Sequence, residues 1–367
     1  MLAKILIPVF MTASLFSAEN FKPAASCSKC HEKTYQDWLS SMHAKATPQK
    51  DPLFQGMYEL AVEDSKGKLK TKCVVCHMPF SSMFQSLEED NVFNQEGVTC
   101  HFCHGVKEIT GFHSAIDMQI DLDTIYSHQP AVDNDAHPTA HRQYYQKSEF
   151  CLPCHAEMKN PADIEVCSTG NEWRQYYEKT KKNCQDCHMP FSKETNSHLF
   201  PGAHQNQFLS NFIDIGLQYD KENQLMEVTL INNGAGHALP TGTPLRMISL
   251  KLVAFNKEGA IIWENWKENP IQEDKSALFM RILGDAEGNG PVPPWKATQT
   301  LYNRRLIPAD TNIISYQLSN ENIYDMEARL LFYYAPPPLL KKLNITDSHF
   351  TKPRLIGQKG IKVSAEL

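Results

Sequence analysis

Five repeats of the pattern C-x-x-C-H constrain this chain more than any other feature of its 367 residues, and they absorb ten of its eleven cysteines. The repeats are CSKCH (27–31), CVVCH (73–77), CHFCH (100–104), CLPCH (151–155) and CQDCH (184–188). Two thiols one helical turn apart can bond to the two vinyl groups on one porphyrin edge. The adjoining His is then held under the ring, where its imidazole can bind the iron. The pattern therefore predicts five covalently attached haem c groups.

Zinc and redox-dithiol sites explain the repeats less well. Zinc knuckles use C-x-x-C in pairs but do not require a His after each one. A thioredoxin-like C-x-x-C occurs singly, beside a βαβ pattern. We therefore expect haem attachment through Cys27, Cys30, Cys73, Cys76, Cys100, Cys103, Cys151, Cys154, Cys184 and Cys187. The expected proximal iron ligands are His31, His77, His104, His155 and His188. The remaining thiol, Cys167, is expected to be a buried residue, with an intermolecular disulfide or a weak axial contact as the alternatives.

Part of the haem-bearing half is a duplication. KCVVCHMPFS (72–81) and NCQDCHMPFS (183–192) each follow an upstream haem site and a Thr-x-x-acid-Trp segment, at 34–38 and 169–173. We interpret this as a duplicated di-haem module with the CHFCH site inserted between the copies. Thr34 and Thr169 fit helix N-caps with an acid three residues later. Met78 and Met189 each directly follow the His of their repeat, so their side chains cannot reach the opposite face of the ring to ligate the iron. We expect them to pack against the porphyrin instead.

Four further patterns occur in the first half: W-x-x-S-x-H (38–43), G-V-x-C-x-x-C-H-G (97–105), E-W followed by C-Q-x-C-H-M-P (172–190), and S-H-x-F-x-G (197–202). In these residues the chain resembles multihaem c-type cytochromes similar to the tetrahaem cytochrome of nitrifying bacteria and its larger relatives. The resemblance covers about residues 26–205 and implies closely packed haems, mainly bis-His iron and electron transfer. The chain departs from it in haem number, and in Glu178 standing where the repeat would place a second His43.

Ten histidines remain as possible distal ligands, enough for five irons. The resemblance points to His43 and His198, and also to His113, which follows CHG as in relatives. One of His137 and His141 is expected to be a ligand, and we favour His137. His237 lies in the Gly- and Pro-rich segment NNGAGHALPTGTPLR (232–246), which resembles a recurring segment of such cytochromes, so it is expected to ligate an iron or touch a propionate. His128 and His204 remain open, whereas His101 and His349 are expected to serve other roles.

The N-terminus predicts export. Lys4 precedes an apolar run from Ile5 to Phe16, and Ser17 and Ala18 follow, which is typical of a signal peptide over residues 1–18. A membrane anchor is the alternative, but the run is shorter than the roughly 20 residues needed to span a bilayer. We expect a mature protein in the periplasm or at the cell surface without a transmembrane segment. The net charge of −6, without a basic stripe, disfavours nucleic acid as a partner.

The second half changes character. From about residue 207 there is no C-x-x-C-H, and short β-rich runs appear at 226–233, 245–256, 260–266, 298–308, 312–319 and 328–335. These runs predict an immunoglobulin-like β-sandwich over residues 208–338, followed by a tail over 339–367. With a mostly α or irregular pentahaem domain over 19–207, the predicted fold class is α+β multidomain.

Three functions fit these features. The first is a pentahaem protein that transfers electrons between redox partner proteins, since the redox chemistry belongs to the cofactor. The second is an oxidoreductase acting on a small nitrogen or sulfur compound at a five-coordinate haem, which Glu178 in place of a His could leave open. The third is a structural subunit of an extracellular haem complex, assembled through the β domain.

Overall fold

The fold is described from a computed structural model, which covers residues 20–88, 90–192, 195–319 and 322–363. The predicted signal peptide, residues 1–18, lies outside the described residues. Within these ranges, no helix combines the length and the apolar character needed to cross a membrane.

The N-terminal part is built from short helices joined by irregular segments. The helices are α1 (Ala24–Ser40), α2 (Pro52–Asp64), α3 (Lys70–His77), α4 (Pro79–Met83), α5 (Val92–Gln95), α6 (Cys100–His104), α7 (Leu152–His155), α8 (Thr169–Thr180), α9 (Cys184–His188) and α10 (Asn206–Ser210). Short strands form two-stranded pairs between them: β1 (Val106–Ile109) with β2 (Met118–Ile120), β3 (Ile125–Ser127) with β4 (Thr139–His141), β5 (Met158–Lys159) with β6 (Glu165–Cys167), and β7 (Phe191–Ser192) with β8 (Thr195–Asn196).

The helix starts differ from the predicted Thr caps. Thr34 lies inside α1, so its predicted N-cap role is wrong; the helix runs on through the first haem motif, with a non-helical His31 at φ −117° and ψ 43°. Thr169 is the first residue of α8, and Ser168 is its N-cap. The Ser168 hydroxyl donates to the Glu172 carboxylate at 3.2 Å. Glu172, the acid three residues after Thr169, is therefore hydrogen-bonded by Ser168 and not by Thr169.

The tryptophans of the two repeats have matching environments. Trp38 and Trp173 are both buried. The Trp38 indole N–H donates to the carbonyl of Val98 at 2.8 Å, and that of Trp173 donates to the carbonyl of Lys182 at 2.8 Å. A buried indole usually has such a polar partner. In both copies the Trp thus joins its own helix to the segment that leads into another haem motif.

The C-terminal part is a sandwich of two antiparallel sheets. Its strands are β9 (Ile213–Asp220), β10 (Leu225–Asn232), β11 (Met247–Phe255), β12 (Ile261–Glu264), β13 (Leu278–Gly284), β14 (Gln299–Arg304), β15 (Thr311–Gln317), β16 (Asp325–Tyr333) and β17 (Arg354–Lys362). One sheet has the order β15-β10-β9; the other has the order β14-β13-β11-β16-β17, with β12 paired to β11. Three short helices complete it: α11 (Pro270–Glu273), α12 (Pro337–Lys342) and α13 (Ser348–Thr351).

The sandwich core follows from alternating side chains. Along β10, buried and half-buried positions alternate, and Met226, Val228 and Leu230 have no exposed surface. They share one apolar cluster with Leu250 and Leu252 of the opposite sheet. Such period-two burial is expected where one face of a strand packs on a second sheet. The α+β multidomain prediction is therefore confirmed.

Some strands went unrecognised in the sequence. β9 and β13 were not predicted, and the predicted tail contributes β17, which pairs along β16 from Asp325↔Lys362 to Phe332↔Arg354. β13 is buried along nearly its whole length and so shows no alternation. The last strand therefore extends the sandwich beyond residue 338.

Candidate haem-binding site

Each C-x-x-C-H repeat occupies a helical turn. CSKCH lies within α1, CVVCH ends α3, CHFCH is α6, CLPCH ends with α7, and CQDCH is α9. Helical geometry puts residues three apart on one face, so both thiols of a repeat can point to the same side. α3 ends at His77 and α9 at His188, and Pro79 starts the next helix.

Local capping fixes where two of these turns begin. The Thr99 hydroxyl accepts the backbone N–H of Phe102 at 3.1 Å, at the start of α6. Asn183 and Asp186 form a reciprocal capping box on α9, in which the backbone N–H of Asn183 donates to the Asp186 carboxylate at 2.7 Å. These caps satisfy backbone groups that a one-turn helix would otherwise leave unbonded.

Three of the proximal imidazoles face a second imidazole. The ring centroids are 6.2 Å apart for His155 and His43, 6.2 Å for His104 and His198, and 6.3 Å for His188 and His237. The partners come from distant parts of the chain: the turn after α1, the segment after α9, and the loop before β11. The structure thus brings together three of the distal candidates with three of the C-x-x-C-H histidines.

This spacing fits an iron held between the two rings. Imidazole nitrogens bind first-row metals at about 2 Å. Two imidazoles on opposite sides of one ion would therefore have nitrogens about 4 Å apart and centroids about 6 Å apart. A hydrogen bond or a ring stack between two imidazoles would bring the centroids closer. The donor set and the spacing both fit a bis-His haem iron.

Backbone carbonyls orient several of these rings. His104 Nδ1 lies 2.8 Å from the carbonyl of Tyr126, His188 Nδ1 lies 2.6 Å from that of Pro201, and His237 Nδ1 lies 2.9 Å from that of Ala238. An Nδ1–H donated to a carbonyl leaves Nε2 as the free acceptor. Such bonds fix the tautomer and the orientation of a metal-binding imidazole.

The surroundings also keep these imidazoles neutral, as ligation requires. Burial lowers the pKa of His43 to about 3, and those of His77, His104 and His188 to about 4. Burial likewise lowers the pKa values of His155 and His237. A neutral imidazole has the lone pair that a metal needs, because the protonated form has none to offer.

The five attachment sites form one connected group. Hydrogen bonds between thiols lower the pKa of Cys27, through Cys100, to about 6, and those of Cys76 and Cys184, through Cys154 and Cys151, to about 7. The first site therefore contacts the third, and the fourth contacts both the second and the fifth. Cys103 of the third site also raises the pKa values of Cys151 and Cys154, after their hydrogen bonds and burial.

His31 and His77 have no second imidazole at the paired spacing among the described residues. His77 instead stacks on Phe54 of α2, with ring centroids 4.1 Å apart and planes 5° from parallel. His31 and His137 both lie near His104, since both lower its pKa, after the larger effects of burial and His198. His137 Nδ1 is buried and has no hydrogen-bond partner among the described residues.

The remaining histidines have other surroundings. The His113 side chain is 92% exposed, and its Nδ1 lies 3.1 Å from the Asp117 carboxylate, so the structure does not bring it to another imidazole. His101 accepts the backbone N–H of Lys22 at 2.9 Å, and its Nε2 lies 3.0 Å from the carbonyl of Leu122. Both nitrogens of His101 are therefore engaged, as its expected non-ligand role implies.

The loop that carries His237 is held by Glu172 of α8, which the sequence singled out only as the acid of the Thr-x-x-acid-Trp segment and as part of E-W. Its carboxylate accepts the backbone N–H of Ala238 at 3.2 Å and the Thr241 hydroxyl at 2.7 Å. It also pairs with Arg305, which follows β14. Glu172 is 7% exposed, so this bonding compensates a buried charge. A carboxylate from the haem-bearing part thus fixes a loop of the β domain.

Glu178, the residue that replaces a second His43 in the repeat, lies on the surface. Its side chain is 81% exposed and pairs with Lys181. Cys167 lies on β6, and burial raises the pKa of its thiol to about 11. Neither side chain is placed among the paired imidazoles.

Two comparisons with known proteins bear on the class of this chain. Residues 26–105 match the model of the family described as cytochrome c554 and c-prime. The crystal structure of a penta-heme cytochrome c552 from Thermochromatium tepidum is similar to this chain, with a TM-score of 0.83 and 26% sequence identity. The match covers 94% of this chain and 99% of that chain, so it spans both the haem-bearing part and the β domain. Among curated proteins, none matches this chain.

The repeats, the fold and these two matches define the class. The chain is a multihaem c-type cytochrome with a C-terminal β domain, and its cofactor is haem c with iron. Proteins of this class transfer electrons.

Proposed function

We propose that this protein is a pentahaem electron-transfer cytochrome that passes electrons between redox partner proteins in the periplasm or at the cell surface. The observation that carries the proposal is the three imidazole pairs at 6.2–6.3 Å, because paired ligands leave no iron position free for substrate at those haems. The contiguous attachment sites support a continuous route for electrons.

The imidazole pairs support a ligand assignment. The proposed bis-His pairs are His155 with His43, His104 with His198, and His188 with His237. His31 with His137 is a fourth proposed pair, because both lie near His104 and His137 has a buried nitrogen to satisfy. The ten cysteines of the repeats hold the porphyrins. His113 stays a prediction, since its bond to Asp117 leaves Nε2 free.

Haem c supplies the one-electron redox chemistry when bound, and the chain sets its conditions. The carbonyls of Tyr126, Pro201 and Ala238 make their imidazoles stronger donors. Two imidazole ligands give lower potentials than a His and Met pair. The proposed domain bounds are 19–207 for the haem domain, 208–338 for the sandwich and 339–367 for the tail, of which β17 (Arg354–Lys362) extends the sandwich.

The second candidate is reduction or oxidation of a small nitrogen or sulfur compound at the haem of His77. The observation that favours it is that His77, unlike His104, His155 and His188, has no second imidazole at the paired spacing among the described residues; its ring stacks on Phe54, which cannot ligate iron. A haem with one protein ligand could bind a small molecule in its sixth position.

Spectroscopy of the purified ferric protein separates the two candidates. Optical and electron spin resonance spectra are recorded before and after addition of nitrite, hydroxylamine and cyanide. The relay function predicts low-spin haem at all five irons and no response to these ligands. A high-spin haem that binds them would favour the second candidate, and loss of that signal in His77→Ala would assign it.

A further inference from the structure

A narrow cleft at the junction of the β domain with the haem domain is lined by three arginines. Arg246 precedes β11, Arg281 lies in β13, and Arg305 follows β14, so three neighbouring strands of one sheet each supply or flank one. The loop 240–244 forms the rest of the lining. No Asp or Glu lines this cleft among the described residues.

Positive charge in the cleft exceeds its partners. Arg305 is paired with Glu172, and Arg281 lies 3.7 Å from Glu165, whose side chain is 44% exposed. Arg246 donates to a neutral group, the carbonyl of Thr241, at 3.1 Å. Arg246 lies near enough to Asp51 to lower the pKa of that carboxyl, against the larger effect of burial, which raises it. Among the described residues, however, Arg246 and Asp51 do not form an ion pair within 4 Å. A buried guanidinium is costly unless it meets an anion.

One of the arginines that line the cleft has a nitrogen without a partner among the described residues. Arg281 is 5% exposed, and its Nε is buried without a hydrogen-bond partner among the described residues. The same guanidinium donates a hydrogen bond from Nη2 to the carbonyl of Val166 at 2.6 Å. Buried polar atoms are nearly always bonded, so this N–H indicates a missing acceptor. Guanidinium groups bind carboxylates in a two-pronged geometry.

The size of the cleft limits the ligand. Its volume is about 10 Å³, which is room for one water-sized group. A carboxylate oxygen that enters from one side fits this space better than a whole oxyanion. The cleft also adjoins the proposed haem positions. Arg305 pairs with Glu172, whose carboxylate accepts the backbone N–H of Ala238, the residue after His237. Arg246 is also near enough to His155 for its charge to lower that pKa, after the larger effect of burial. Haem c itself carries two propionate carboxylates.

We propose that Arg246, Arg281 and Arg305 form a carboxylate site that receives a propionate of the haem beside them, so that the β domain tunes a haem potential. The proposal rests on the proposed haem positions at His155 and His188. A propionate paired with an arginine leaves less net negative charge near the ring than a free propionate does. Negative charge stabilises the ferric state, which is the more positive of the two redox states, so the pairing makes the ferric state less stable. The arginines would therefore hold this haem at a higher potential and keep its propionate ionised.

The test compares Arg246→Gln with Arg329→Gln in the haem-loaded protein. Arg329 is a matched control, because it lies in β16, pairs with Glu327 and is 42% exposed, away from the cleft. We expect a lower midpoint potential for one haem in Arg246→Gln, and a new pH dependence of that potential as the propionate pKa rises. Arg329→Gln should leave both unchanged. Equal potentials in the two variants would overturn the proposal.

Two further measurements keep the result decisive. Haem content per chain is measured first; if Arg246→Gln loads fewer haems than the parent, Arg281→Gln replaces it, because it removes another positive charge of the same cleft and should likewise lower the potential. Inorganic phosphate is then titrated into the parent protein at constant ionic strength. No saturable shift in potential is expected, because a propionate fills the site. A saturable shift that Arg246→Gln abolishes would mean that a free oxyanion is the ligand, and would overturn the propionate assignment. Absence of low-spin bis-His haem in the parent would instead refute the proposed haem positions.

Discussion

The two halves of this molecule are stabilised by different kinds of core. In the β domain, 25 buried apolar residues form a single cluster between two sheets. The haem-bearing half has clusters of eight, three and three buried residues, which are too small to organise a domain of that length. Its remaining order lies around the C-x-x-C-H turns and their paired imidazoles. The comparison teaches that one chain can combine a core made of side chains with a core that needs its cofactor.

Production of the chain without haem attachment is the strongest way to break this comparison. We expect residues 20–205 to lose their fold, because their side chains alone cannot offset chain entropy. The β domain should keep its strands. Limited proteolysis and far-ultraviolet circular dichroism would measure this, with the haem-loaded protein as control. A haem-free chain whose N-terminal half resists protease would refute the distinction.

A substitution in the other core should have the opposite pattern. Leu250→Ala removes a fully buried side chain between the sheets and should lower the free energy of unfolding of the β domain by about 2–5 kcal/mol. The haem spectrum of the folded protein should be unchanged. Denaturant titration followed by tryptophan fluorescence and by haem absorbance would separate the two parts. A change in haem spin state at zero denaturant would count against independent cores.

Removal of one distal ligand should affect a single haem. His198→Ala should convert about one haem per chain from low-spin to high-spin, because His198 faces His104 at 6.2 Å. His141→Ala is the matched control, since that side chain is exposed and bonds the carbonyl of Gln129. Spin resonance at low temperature gives the count. An unchanged low-spin signal in His198→Ala would disprove this ligand assignment.

The smallest effect is expected at the junction of the two parts. Glu172→Gln weakens the bonds to Ala238, Thr241 and Arg305, and should destabilise the junction by about 1–3 kcal/mol. It should also perturb the spectrum of the haem that His237 is proposed to ligate. Glu178→Gln, on the same helix but 81% exposed, should change neither. Thermal unfolding and spin resonance of both variants test this, and identical behaviour would exclude a positioning role for Glu172.

The sequence by itself determined the class of the protein. Haem attachment depends on residues that are adjacent along the chain, so Cys27 and Cys30 with His31, and the four similar sites, could be recognised without a structure. The β-rich runs were visible for the same reason, because alternation along a strand is local. The buried strand β13, which lacks that alternation, was not predicted.

Only the tertiary structure decided which histidines meet. His43 and His155 are separated by more than a hundred residues, and so no spacing rule could pair them; the tertiary fold brings their ring centroids to 6.2 Å. The same holds for Glu172, which became a bridge between domains through contacts with a loop and a strand far along the chain. A covalent attachment motif is local in sequence, whereas a distal ligand is a long-range contact whose partner the fold selects.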